Sequence, residues 1–258
     1  MSKLTILFIV MQIMKKTAVL GTWIAILLLS PLTAQTPAAA KIDSLAKNIQ
    51  WLGQSAVKIT TDQTTLYIDP FRITEKDQAD IIFITHDHKD HFDPSSIAKL
   101  LTKKTILIAP LSCRTSIGEL DVADIRYLSP WDSVTIAGIH VLAVPAYNII
   151  KSSFHPKNRN YLGYILTIEG VRVYHAGDTE RIPEMQQFEC DIALLPLGQK
   201  YTMNSVYEAA NSALDVKAKI AIPIHYGLFE GKISDAAAFQ ELLKDTIKVI
   251  IKPFDFQQ

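Results

Sequence analysis

A chain of 258 residues has room for one large domain or two small ones. Hydrophobic residues reach 48% and charged residues only 20%, so a sizeable core can be buried and wholesale disorder is excluded. Lys plus Arg and Asp plus Glu both total 26, and this balance removes the overall basic surplus that marks nucleic-acid binders.

The first forty residues read as a leader. Lys15 and Lys16 precede an apolar run from Ala18 to Leu29, then Ser30-Pro31 and small residues that predict cleavage after Ala34 or Ala38. A positive start before an apolar stretch too short to span a bilayer comfortably predicts an exported, periplasmic or secreted protein. The alternative is an uncleaved N-terminal anchor, and the poor fit of the residues before Lys15 points to Met14 as the true start. Thr36 to Ala40 reads as a linker, so residues 1–40 form signal and linker, and 41–258 one domain. Only Cys113 and Cys190 occur, each beside an apolar run, and both read as buried, inert thiols.

Short β-type runs follow at Ile49 to Leu52, Ala56 to Thr60, Thr65 to Ile68, Ile81 to Thr85, Thr105 to Ala109, Val134 to Ala137 and His140 to Val144. Tyr161 to Ile168 and Val171 to Tyr174 are joined by Glu169-Gly170, a two-residue hairpin signal. Ile192 to Leu195, Ile220 to Ile224 and Ile247 to Ile251 complete the strands. Helices are predicted from the Asp93-Pro94 cap to about Leu101, over Asn204 to Ala213, and over Ser234 to Leu243. The pattern predicts an α/β architecture of two sheets with helices outside them.

Chemistry concentrates where the run Ile81 to Thr85 meets His86-Asp87-His88-Lys89-Asp90-His91. Residues two apart on an extended segment face the same way, so His86 and His88 can converge on one ion. If the chain then turns toward the helix capped by Asp93, Asp90 and His91 swing round to a second ion. Imidazole and carboxylate donors suit Zn2+, with Mn2+ or Fe2+ as alternatives.

This run resembles the HxHxDH signature of the metallo-β-lactamase superfamily, and the surrounding blocks resemble its L-ascorbate-6-phosphate lactonase-like metal-dependent hydrolases. Those blocks are Trp51-Leu52-Gly53-Gln54-Ser55-Ala56, Ile68-Asp69-Pro70, Tyr174-His175-Ala176-Gly177-Asp178-Thr179, Leu195-Pro196-Leu197-Gly198, Tyr201-Thr202-Met203 and Ile222-Pro223-Ile224-His225-Tyr226-Gly227. The resemblance implies an αββα sandwich, two mixed sheets flanked by helices, with one or two divalent ions at a sheet edge. It implies His86 and His88 on one ion, Asp90, His91 and His225 on the other, and Asp178 between them. Asp178 and His225 each follow a predicted strand, which suits a rigid site. Asp69 is expected either to orient a ligand histidine or simply to form an Asp-Pro turn.

Two departures stand out. Relatives commonly supply a further histidine after a mid-chain strand, where this chain has Val144-Pro145-Ala146-Tyr147-Asn148; His155 is the expected substitute, with Asn148 as the alternative. Gln54 stands where relatives often have histidine. The implied function is hydrolysis of a small ester, lactone or phosphoester by metal-activated water, with Asp90 orienting the nucleophile. His175, Tyr201 or Lys200 is expected to protonate the leaving group, and Lys200, Tyr201 and Thr202 to contact substrate. The alternative for His175 is packing between the sheets. Gly-x-Ser-x-Gly is absent, so no serine nucleophile competes. The rivals are a phosphodiesterase or nuclease of the same fold and a non-catalytic metal-binding protein. The expected partner is a small molecule rather than nucleic acid, with membrane contact only through the leader.

Overall fold

The computed structural model describes residues 36–118 and 120–254, so the expected leader up to residue 35 lies outside the described residues. Among the described residues, no helix is long and apolar enough to cross a membrane. Pro37–Asn48 forms helix α1, which corrects the linker expected at Thr36 to Ala40. Alanine is the best helix former, and Ile42, Leu45 and Ala46 set one face of the helix into the core.

Six strands build the first sheet in sequence order: β1 Ile49–Gly53, β2 Ala56–Thr60, β3 Thr65–Ile68, β4 Ile81–Phe83, β5 Ile106–Pro110 and β6 Asp124–Leu128. The first two pairings are antiparallel and the remaining three parallel. β6 was not foreseen. It is an edge strand whose Asp124 and Arg126 interrupt the apolar alternation, and edges favour such charges. Helix α2, Pro94–Leu100, begins as expected, with the Asp93 carboxylate accepting from the Ser95 N–H. A short helix α3, Arg114–Ile117, follows β5.

The second sheet has seven strands: β7 Ser133–Ile136, β8 Ile139–Pro145, β9 Leu162–Ile168, β10 Val171–His175, β11 Ile192–Pro196, β12 Ile220–Ile224 and β13 Lys248–Val249. It is antiparallel from β7 to β10 and parallel from β10 to β13. Helix α4, Val206–Asp215, packs against β11, and helix α5, Asp235–Leu243, against β13. Two mixed sheets flanked by helices therefore form the expected sandwich. Both cysteines are free and buried, and burial pushes the Cys113 thiol up to about 12.

β4 shows how the layers lock. Ile81 and Phe83 join the core between the sheets, while Ile82 and Ile84 join Ile97 and Leu100 of α2 on the other face. This two-faced burial explains an apolar run without alternation. The Phe83 ring lies 5.2 Å from that of Tyr164 in β9, whose hydroxyl donates to the Ile84 carbonyl at 2.7 Å. The chain leaving β4 is thus pinned to the opposite sheet just before His86. Carboxyl ends of strands in both sheets meet there, the usual ligand position in open α/β sheets.

Phe83→Ala leaves a cavity between the sheets and is expected to cost about 3–5 kcal/mol. Urea unfolding checks this; a loss below 1 kcal/mol would contradict the packing described.

Candidate metal centre

The segment after β4 turns immediately, bringing Nε2 of His86 within 3.0 Å of Nδ1 of His88. His155, carried by the loop after β8, stands beside both, its ring centroid 5.1 Å from His86 and 5.0 Å from His88. Asp90, His91 and His225 gather on the other side. Oδ2 of Asp90 lies 3.6 Å from Nε2 of His91 and 4.0 Å from Nε2 of His225. Asp178 stands between the groups. Its Oδ2 faces His155 at 3.4 Å and His86 at 4.0 Å, while its Oδ1 faces His225 at 3.2 Å and His91 at 3.3 Å. All seven residues expected to bind metal are thus brought together.

Their chemistry fits divalent ions. The candidate donor atoms of His86, His88 and His155 lie within 4.8 Å of one another, as do those of Asp90, His91 and His225. Nε2 of His91, Nε2 of His155 and Oδ1 of Asp178 are buried without a hydrogen-bond partner. An unpaired buried polar atom costs about 1–3 kcal/mol, which coordination would recover. Charges divide across the cluster. Burial lowers the pKa of His86 and His88 and takes His155 down to about 4. Burial opposes the charge on His225 and His91 too, but Asp178 and the carboxylates behind it raise both, His225 to about 10. Asp178 is itself held well below the carboxylate range, against burial, by His225 and His91.

The far ring nitrogens are also held. Nδ1 of His91 lies 2.8 Å from the buried Asp69 carboxylate, so Asp69 orients a site histidine. Nδ1 of His225 lies 2.7 Å from Glu230. Nδ1 of His155 lies 3.2 Å from the Tyr201 carbonyl, which fixes its proton there and frees Nε2. Thr85 Oγ1 lies 3.0 Å from Nδ1 of His86. Such partners set tautomer and ring orientation in metal sites. Asn148 stands behind His155, its amide donating to the Tyr201 and Lys151 carbonyls at 2.7 and 3.2 Å.

Two carboxylates escaped the sequence reading. Glu230 accepts from the Lys200 and Tyr201 N–H groups and from the Thr202 hydroxyl, besides touching His225. It fits because residue 198 is glycine: a Cβ there would lie 1.8 Å from the Glu230 carboxyl carbon. The recognised Leu-Gly block was its only sequence trace. Glu180 accepts from the N–H groups of Ile149, Ile150 and Lys151 at 2.8, 2.7 and 2.9 Å, folding the loop that delivers His155. Gly177 serves Asp178 similarly, since at φ +63° a Cβ would meet the Leu162 carbonyl at 2.8 Å.

His175 requires a correction. It is fully buried, with Nε2 2.9 Å from the Ser55 carbonyl and Nδ1 accepting from the Gly177 N–H at 3.2 Å. Both ring nitrogens serve the backbone, so it packs between the sheets and is not a proton donor to substrate. Thr202 is likewise buried behind the site, whereas Tyr201 lines the cavity and Lys200 is exposed. Gln54 does reach the cluster, its amide nitrogen 3.0 Å from Asp90 Oδ2 and 2.8 Å from His225 Nε2. His140 is exposed on β8. A cavity of about 450 Å³ opens onto His88, Asp90, His155, Asp178 and His225.

Known proteins share this arrangement of sequence and fold. The beta-lactamase superfamily domain matches residues 48–225. A "UPF0173 metal-dependent hydrolase" of Geobacillus sp. (strain WCH70) is 32% identical over 234 residues, covering 80% of this chain and 96% of the relative. The crystal structure of a Parabacteroides distasonis protein described as a metal-dependent hydrolase is 36% identical, with a TM-score of 0.71, covering 80% of this chain and 93% of that one. The metallo-beta-lactamase fold protein YhfI of Bacillus subtilis shares the fold at a TM-score of 0.60 and 10% identity, covering 79% and 93% of the two chains.

Glu180→Ala removes three hydrogen bonds to a carboxylate. Amide exchange at Ile149, Ile150 and Lys151 is expected to accelerate by at least about tenfold. Unchanged protection, read by hydrogen–deuterium exchange, would show that Glu180 does not hold this loop.

Proposed function

This chain belongs to the beta-lactamase superfamily, and from that premise we propose that it is a metal-dependent hydrolase of a small ester, lactone or phosphoester. The donor set suits zinc, with manganese or iron as alternatives, at one or two positions. A divalent ion would supply Lewis acidity and lower the pKa of a bound water from about 15.7 to about 7.

His86, His88 and His155 would hold one ion, Asp90, His91 and His225 the other, with Asp178 shared. The observation that carries this reading is the placement of Asp178, one oxygen toward each histidine group. Asp90, a quarter exposed, is positioned to orient an attacking water and take its proton. With His175 turned to the backbone, the Tyr201 hydroxyl and Lys89 on the cavity wall are the groups left to protonate a departing oxygen. A cavity of about 450 Å³ and a formal charge of zero favour a small molecule over nucleic acid. A missing histidine after Pro145 would favour a non-catalytic metal-binding protein, and His155 standing beside His86 and His88 offsets that.

Elemental analysis paired with turnover of an ester, lactone and phosphodiester panel tests the proposal. Wild-type protein is expected to retain divalent metal and turn over at least one substrate. His155→Ala is expected to lower the metal-to-protein ratio, and His88→Ala to reduce turnover by at least about 100-fold, of the order that loss of a metal-held catalytic group produces. Retained metal with no turnover of any panel member would identify a binding protein instead.

A further inference from the structure

Four aromatic residues, Phe71, Phe154, Tyr201 and Phe229, line the same cavity as the metal cluster. Phe71 and Phe229 pair at 6.0 Å between centroids; Phe154 and Tyr201 meet edge to face at 4.9 Å. Phe154 precedes His155 directly, and Phe229 lies four residues beyond His225, so each pair is anchored next to one half of the cluster. Phe154 and Phe229 remain 40% and 46% exposed. A single exposed ring needs no explanation, but four rings converging on one concave site mark a binding surface.

Besides Asp90 and Asp178, three cationic side chains stand at or beside this mouth. Lys89 lines the cavity, Arg72 lies over the Phe71 and Phe229 rings at 5.1 and 5.5 Å, and Lys200 lies over Tyr201 at 4.6 Å. Among the described residues none of these three cations is paired with a carboxylate. A cationic substrate is therefore disfavoured. Among the described residues no arginine and one lysine, Lys89, line the cavity, fewer fixed side-chain donors than a phosphoryl group commonly recruits. Phosphate recognition draws on several converging charge-assisted donors.

We propose that the substrate is a neutral or anionic carboxylic ester or lactone bearing an aromatic ring, with the ring held by Phe71, Phe154, Tyr201 and Phe229. The inference rests on the hydrolase reading above and narrows its substrate class. Water's oxygen bonds to the acyl carbon while Asp90 takes one of its protons, and the acyl carbon–oxygen bond breaks. The leaving oxygen receives a proton from Tyr201 or Lys89, which the proton held by Asp90 then replaces. The products are a carboxylic acid and an alcohol, or a single hydroxy acid from a lactone. Offset or edge-to-face contacts contribute about 0.5–1.5 kcal/mol beyond the burial of the ring itself.

The test uses methyl esters, so that the leaving group carries no ring: methyl acetate, methyl cyclohexylacetate, methyl phenylacetate and the cationic betaine methyl ester, followed by pH-stat titration on metal-loaded protein. Methyl phenylacetate is expected to exceed methyl acetate in kcat/KM by at least about tenfold and methyl cyclohexylacetate by about two- to tenfold, with the betaine ester slowest. Parity of the phenyl and cyclohexyl esters would overturn the aromatic inference. Phe154→Ala/Phe229→Ala should erase most of the phenylacetate-to-acetate ratio, chiefly through KM. Calorimetric binding of phenylacetate should weaken in the same variant, a readout independent of turnover. Equal kcat/KM for methyl acetate and methyl phenylacetate, or an unchanged ratio in the double variant, would overturn the aromatic inference and leave the hydrolase reading standing. Cleavage of phosphodiesters with no ester turned over would overturn it as well. Failure of every substrate in the ester, lactone and phosphodiester panels would instead remove the hydrolase reading, and the inference with it.

Discussion

A single buried carboxylate sets the terms for this structure. Asp178 is 4% exposed and has four imidazoles within 4.0 Å, two facing each oxygen. Burying a charge is costly unless it is paired, and burying several imidazoles around it adds further desolvation. Two of the imidazoles are pushed toward the charged form and two toward the neutral form, so the cluster is electrostatically divided across one side chain. Divalent cations suit such a site, because they satisfy the carboxylate and the neutral ring nitrogens together.

The rest of the fold holds that arrangement in place. Asp69 braces His91 and Glu230 braces His225, while Glu180 folds the loop that delivers His155. None of these carboxylates need touch substrate; each acts through another group. Two glycines make the bracing sterically possible, Gly177 where the chain turns into Asp178 and Gly198 where the Glu230 carboxylate lies. The sandwich contributes rigidity, since the contributing loops leave strand ends that are hydrogen-bonded into one sheet or the other. A site assembled this way keeps its geometry without relying on loop order alone.

How much of this was legible depended on whether the signal was local. His86 to His91 announce themselves by density, and strands such as β2, β3 and β12 by bounded apolar runs, so their limits match closely. β6 and α1 were missed because charges break the alternation of one and alanines conceal the buried face of the other. Glu180 and Glu230 carry no local mark: an isolated glutamate looks like surface, and only the fold buries it. His175 misled for a related reason. Closeness in sequence to Asp178 suggested access to the site, whereas its side chain turns inward to the Ser55 carbonyl. Of the aromatic wall only Tyr201 was foreseen as a substrate contact, since its four members come from four separate loops.

Anomalous diffraction from crystals grown with zinc or manganese, recorded above the metal's absorption edge, examines the central claim most directly. The account predicts a peak at coordination distance, about 2.0–2.2 Å for zinc, from nitrogens of His86, His88 and His155, or from Asp90, His91 and His225, with Asp178 contributing an oxygen. Well-ordered side chains in these same positions, with no anomalous signal among them at saturating metal, would contradict it.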